Sequence, residues 1–172
     1  CALLGKPASD AQLLDIVTRL VVAELLDWHT ERVGTEPRLS FRHSLIREAA
    51  YSLLTAEDRV RGHLLAGTFL EQDSEQPPAL LAEHYMRGLD AVRAVAYYTK
   101  AAERALVQND LGGALSYVAQ GLSTGATDLA RGYLCAINVV ARFYRDEWPE
   151  ALQNGQVALH LLPPGCRSWY QA

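Results

Sequence analysis

Five histidines are the side chains of this sequence best suited to acid–base or metal chemistry: His29, His43, His63, His84 and His160. No two of them stand three or four residues apart. One helix face therefore cannot bring two imidazoles onto a metal, and no metal site is expected. Cys1, Cys135 and Cys166 are widely spaced, with no Cys-x-x-Cys pair, so reduced thiols in a cytoplasm are the expectation. The carboxylate pairs Asp27/Glu31 and Glu147/Glu150 sit at spacings that solvated faces explain more simply than acid–base catalysis. The chain has no Gly-x-Ser-x-Gly elbow, no phosphate-binding Gly-x-x-x-x-Gly-Lys-Ser/Thr loop, and no His-Arg-Asp or Asp-Phe-Gly string. Gly112-Gly113 opens a helical pattern with no strand before it. No catalytic residue and no cofactor are expected.

The elements that would position such residues follow from composition. The chain has 172 residues, a formal charge of −4, 49% hydrophobic residues and 21% charged ones. Ala (25) and Leu (27) make up about 30% of it. That balance argues for a packed core and against disorder. There is no apolar run of 18 residues, so no membrane span is expected. The sequence opens at Cys1 without Met or a charged leader, and it reads as a segment of a longer protein.

The expected fold is mainly α: a short β-hairpin, the remnant of a winged helix, followed by an array of α-helical hairpins. Ser9 or Asp10 caps a helix running to about Glu24, with Leu13, Leu14, Ile16, Val17, Leu20 and Val21 at helical spacing. Two short runs around the turn Gly34-Thr35-Glu36-Pro37 predict the hairpin. Helices follow over His43–Leu54 and after Thr55, which has Asp58 as a capping-box partner. The polar stretch Gln72–Pro78 predicts a boundary between a winged-helix-like domain, 1–73, and helical repeats, 79–172.

Beyond Pro78 the pattern is helix after helix with short connections, which force neighbours antiparallel. An acid followed four residues later by Ala-Val or Ala-Leu recurs at Asp90, Asp110 and Glu147. The last two lie 37 residues apart, near the ~34 of a tetratricopeptide repeat. The first interval is only 20, so the register is irregular. The expectation is a TPR-like solenoid whose helices need neighbours to bury their apolar faces.

The string Phe41-Arg42-His43-Ser44-Leu45-Ile46-Arg47-Glu48-Ala49-Ala50-Tyr51 resembles the winged-helix end of bacterial STAND-type signalling ATPases. Leu81-Ala82-Glu83-His84-Tyr85, Tyr97–Leu106 and Leu161-Leu162-Pro163-Pro164-Gly165 look like one subgroup, the large myxobacterial serine/threonine kinases with ATPase and repeat regions. The resemblance covers nearly the whole chain. It implies a kinase and an upstream ATPase domain in cis, both outside this sequence. It also implies a nucleotide-sensing contact for His43, where related ATPases carry Met-His-Asp; here the string is Arg42-His43-Ser44. The other reading of His43 is a cap at the hairpin–helix junction. A helix N-terminus offers free amides to an anion in either case.

Two binding roles remain. Residues 1–65 hold 8 Lys/Arg against 9 Asp/Glu, and the helix Asp10–Glu24 has Arg19 as its single cation. Phosphate contacts dominate DNA affinity, so a DNA-binding winged helix of a transcriptional regulator is the lesser alternative, and no nucleic acid is expected. A protein or peptide ligand is favoured, because interfaces use aromatic and Arg anchors. Arg142, Arg145, Tyr144 and Tyr98 are the candidate contact residues.

Overall fold

The computed structural model describes residues 11–29 and 38–172. The Ser9/Asp10 cap and the Gly34–Pro37 turn lie outside the described residues. The elements are α1 (Ala11–Val22), β1 (Leu26–His29), β2 (Arg38–Phe41), α2 (Ser44–Ser52), α3 (Ala56–Leu70), α4 (Pro78–Arg87), α5 (Ala91–Val107), α6 (Leu111–Ser123), α7 (Asp128–Phe143), α8 (Trp148–Leu161) and α9 (Arg167–Gln171). Among the described residues the chain is mainly helical with one two-stranded antiparallel sheet, as its pattern predicts. Among the described residues no helix is long and apolar enough to cross a membrane.

In the hairpin, Leu26 faces Phe41 and Trp28 faces Leu39. Period-two alternation therefore puts four apolar side chains on one face of the pair. Arg42 ties the start of the hairpin to its end. Its guanidinium reaches Glu24 at 2.9 Å and Asp27 at 3.1 Å, and its N–H donates to the Leu25 carbonyl. Trp28, Leu39 and Phe41 nevertheless stay about two-fifths exposed. None of the described residues before Gly67 is buried.

The buried core begins at Gly67 and runs through α3–α8. Tyr85, Leu81, Ala82, Ala94 and Tyr98 pack α4 on α5. Val95, Ala102, Val118, Leu134 and Ile137 join α5, α6 and α7. Cys135, Ala136, Ala158 and Leu162 join α7 to α8, with Trp169 of α9 against them. The helix α7 touches α5, α6, α8 and α9, and its residues Leu134 to Val139 are all buried. The middle of α7 is thus enclosed by neighbours, while Asp128 and Arg131 keep its first turn in contact with solvent. Gly121 lets α6 come close to α7, because a Cβ there would lie 2.8 Å from Leu134 Cδ1.

One turn design recurs between these helices. At the end of α4, α5 and α7, Leu89, Asn109 and Asp146 take φ of 59°, 59° and 60°. The next N–H then donates back to a carbonyl five residues earlier: Asp90 to Tyr85, Asp110 to Ala105 and Glu147 to Arg142, at 2.8–3.0 Å. This is a Schellman closure, which satisfies otherwise orphaned carbonyls. The residue that closes one helix is also the N-cap of the next. Asp90 accepts from the Arg93 N–H and Asp110 from the Gly113 N–H. The repeat in the sequence is this turn. Asp90 and Asp110 cap consecutive helices, whereas Asp110 to Glu147 spans a whole pair, which accounts for the unequal intervals of 20 and 37.

The polar stretch 72–78 is bridged by packing. A Cβ at Gly67 of α3 would meet the Tyr85 ring at 3.1 Å, so the two helices touch closely there. Just past α3, the Glu71 carboxylate accepts from the Tyr85 hydroxyl at 2.6 Å and the Tyr97 hydroxyl at 2.5 Å. The two rings stack at 5.6 Å, Arg93 lies over Tyr85 and Lys100 over Tyr97. The hydroxyl bonds hold the Glu71 carboxyl below its ordinary range. Burial and the same carboxylate push the Tyr97 phenol up to about 12.

Candidate protein-interaction surface

The turn from α7 to α8 collects three of the residues with anchor chemistry. Phe143, Tyr144 and Trp148 are 51%, 68% and 53% exposed. Phe143 meets Trp148 edge-on at 4.8 Å and Tyr144 edge-on at 5.7 Å. Edge-to-face contacts of this kind hold rings in place without a core. Along α8, Trp148, Leu152 and Leu159 fall within one narrow stripe of the helix, and Leu152 is 67% exposed. The result is an apolar surface that starts at the corner and continues down one helix. Apolar patches of this kind mark interaction sites.

The corner is held by one carboxylate and two guanidiniums. Arg142 Nε donates to Asn138 Oδ1 at 2.8 Å, and its Nη1 donates to Glu147 Oε2 at 2.5 Å. Arg145 Nε donates to Glu147 Oε1 at 2.7 Å. Both carboxylate oxygens are thus used, which fixes the loop between the aromatics. Asn138 is the one buried polar residue in the described core, and it anchors the first arginine.

The expectations for the four contact residues divide. Tyr144 stands out at the corner. Arg145 keeps its remaining N–H groups exposed beside it, with Nε alone engaged among the described residues. Arg142 braces the corner: two of its five N–H donors are engaged, with Asn138 and Glu147, and its side chain is 27% exposed. Tyr98 is corrected to a core residue. It is 3% exposed and lies on the stripe Ala94–Tyr98–Ala101–Ala105 that α5 turns inward. Phe143 is one of several aromatics the sequence offers for a groove, whereas Trp148 and Leu152 carry no contact expectation. Their signal is an apolar residue off the inward stripe, and it needs the helix phase to be seen.

His43 occupies the N-cap of α2 with φ −127° and ψ 136°. Its carbonyl accepts from the Arg47 N–H, but its imidazole makes no capping bond. The junction reading therefore holds for the backbone and not for the side chain. The histidines are not all scattered. His63 of α3 and His84 of α4 bring their Nδ1 atoms to 3.2 Å, and the Tyr51 hydroxyl lies 3.0 Å from His63 Nε2. These two histidines are 21 residues apart, so only the packing of α3 on α4 reveals the pair. Among the described residues no three of His, Cys, Asp and Glu converge in a way that could hold a metal ion.

Comparison of the chain with protein-family models, curated proteins and solved structures gives no match.

Proposed function

We propose that this chain is a non-catalytic, protein-binding segment of a larger signalling protein of the kinase–ATPase–repeat type. Its helical array takes a protein or peptide ligand, and α2 with its hairpin relays that event to an ATPase domain in cis. The observation that carries the reading is the α7–α8 corner, where three exposed aromatic rings in mutual contact share a turn braced by Glu147 and Arg145. Such a surface fits a partner with an apolar side chain followed by a carboxylate. Rigid aromatics supply contact area at low entropic cost, and Arg145 supplies a paired charge. The TPR-like reading of the array and the parentage rest on the sequence resemblance. The recurring turn and the contacts of α7 with α5 and α9 support a repeated helix pair. The free imidazole of His43 at a helix start supports a contact with a nucleotide phosphate in the parent protein.

The test uses the parent protein. A Trp148→Ala/Tyr144→Ala variant is expected to lose its captured partner and the partner's effect on parent kinase activity, while its far-UV circular dichroism stays unchanged. Unaltered capture and unaltered activity in that variant would refute the surface. A segment that captures no partner, whose deletion leaves parent activity intact, would refute the whole proposal.

A further inference from the structure

A cleft of about 470 Å³ opens beside the histidine pair, far in sequence from the aromatic corner. Its polar lining is Tyr51, Asp58, Arg59, Arg61, His63 and His84. The remainder is apolar, from Leu54, Leu65 and Ala66. The single acid there is engaged already. Asp58 Oδ2 accepts from the Thr55 hydroxyl at 2.7 Å. Arg59 is held over the Tyr51 ring at 5.5 Å. Its Nε is the one buried side-chain nitrogen or oxygen among the described residues without a hydrogen-bond partner. Buried donors are nearly always paired, so an orphaned guanidinium N–H on a cleft wall calls for an acceptor.

The histidines add a second signal. Their Nδ1 atoms can bond only if one donates and the other keeps its lone pair, so a doubly charged pair is incompatible with the contact. Burial lowers both imidazoles below their ordinary range, and for His63 the neighbouring His84 and Arg87 lower it further. The groups facing them are Tyr51 from α2, Asp58, Arg59 and Arg61 from α3, and Glu83 and Arg87 from α4. Glu83 is paired with Arg87 at 2.5 Å, so the two largely offset each other. The lining then sets Arg59 and Arg61 against Asp58, a net positive charge that favours an anion.

We propose that this cleft binds an organic oxyanion, a carboxylate or a phosphate on an apolar or aromatic body. Arg59 supplies the anchoring N–H, and the His63–His84 pair takes up a proton as the anion arrives. The apolar wall receives the body. The site joins α2, α3 and α4, so the bound anion clamps the helix that follows the hairpin to the array. The inference stands apart from the aromatic corner, and either can fail alone.

Calorimetry of the full chain with benzoate, phenyl phosphate and inorganic phosphate tests it. Saturable binding of phenyl phosphate in preference to benzoate assigns a phosphate ligand, and the reverse assigns a carboxylate. Benzoate keeps one charge between about pH 6 and pH 8, so it carries the pH comparison. Its affinity is expected to rise on acidification by up to about tenfold per pH unit, the limit for one proton taken up. The observed heat should vary with the ionisation heat of the buffer. Arg59→Lys keeps the charge, removes Nε–H and is expected to weaken binding about tenfold. A His63→Gln/His84→Gln double variant should abolish the pH dependence. No saturable heat with any probe would overturn the proposal. So would inorganic phosphate binding as tightly as phenyl phosphate, or unchanged binding in Arg59→Lys. Buffer dependence in the unmodified chain decides the proton uptake even where a variant fails to fold.

Discussion

Replacing Glu71 with Gln removes a charge that two tyrosines share. In the native structure both carboxylate oxygens accept short hydroxyl hydrogen bonds, at 2.6 Å from Tyr85 and 2.5 Å from Tyr97. Bonds to a charged acceptor contribute about 1.5–3 kcal/mol each when fully desolvated. The Glu71 side chain is 38% exposed, so solvent screens them. A discounted figure of about 0.5–1 kcal/mol each gives about 1–2 kcal/mol for the pair. The amide of Gln can accept at one atom only, so one phenol O–H loses its acceptor. Urea unfolding at neutral pH is expected to show that loss as a lower midpoint with an unchanged slope. The sign with pH is fixed by direction. Glu71 has a folded pKa below its unfolded value, so its contribution is present above the unfolded pKa and is lost as pH falls through the folded one. The gap between native and Glu71→Gln should therefore close in acid. Tyr97 runs the opposite way. Its folded value of about 12 lies above the ordinary 10.0, so its contribution is complete below pH 10 and disappears toward 12. Ultraviolet titration should find several late phenols, Tyr85, Tyr97 and Tyr98, with one fewer in Tyr97→Phe. A Glu71→Gln chain as stable as native at neutral pH, or a gap that persists undiminished in strong acid, would refute the clamp.

Three further outcomes follow from local geometry. Leu89 holds φ of 59° while 77% exposed, so Leu89→Gly should raise stability by about 0.5–1 kcal/mol in thermal unfolding, by relieving left-handed strain at no packing cost. Gly121→Ala puts a methyl 2.8 Å from Leu134 Cδ1 and should cost about 1–3 kcal/mol, read from the same denaturation curves. Cys135 is buried, with burial raising its thiol pKa, whereas Cys166 is half-buried. An aromatic disulfide reagent should modify Cys166 before Cys135 in the folded chain, and Cys135 only on unfolding.

Much of the helical order was legible because its signals are local. Thr55 caps α3 by accepting from the Asp58 N–H, as the capping-box spacing predicts. Asp90 and Asp110 sit one residue before a helix and accept from its amides, which a sequence can announce. The left-handed turn was legible at Asn109, a residue that tolerates it, and illegible at Leu89, which does not ordinarily adopt it. The site was harder. Tyr98 and Tyr144 are alike in sequence, and only helix phase separates a core phenol from an exposed one. Arg142 looks like a free cation until Glu147, five residues on, is brought back by the turn. The His63–His84 contact depends on a tertiary approach that no spacing encodes.

The lack of any buried residue among those described before Gly67 has an energetic consequence. Opening free energy follows burial, so this protein should carry a gradient of protection against hydrogen exchange. The amides of the buried stretch Leu134–Val139 of α7 set the slow limit, whereas α1 and the hairpin exchange through cheap local openings. The first part of the chain can then rearrange, or be cut by a protease, at almost no expense to the rest. A relay needs that asymmetry: a stiff end that keeps its shape and a soft end that can change it.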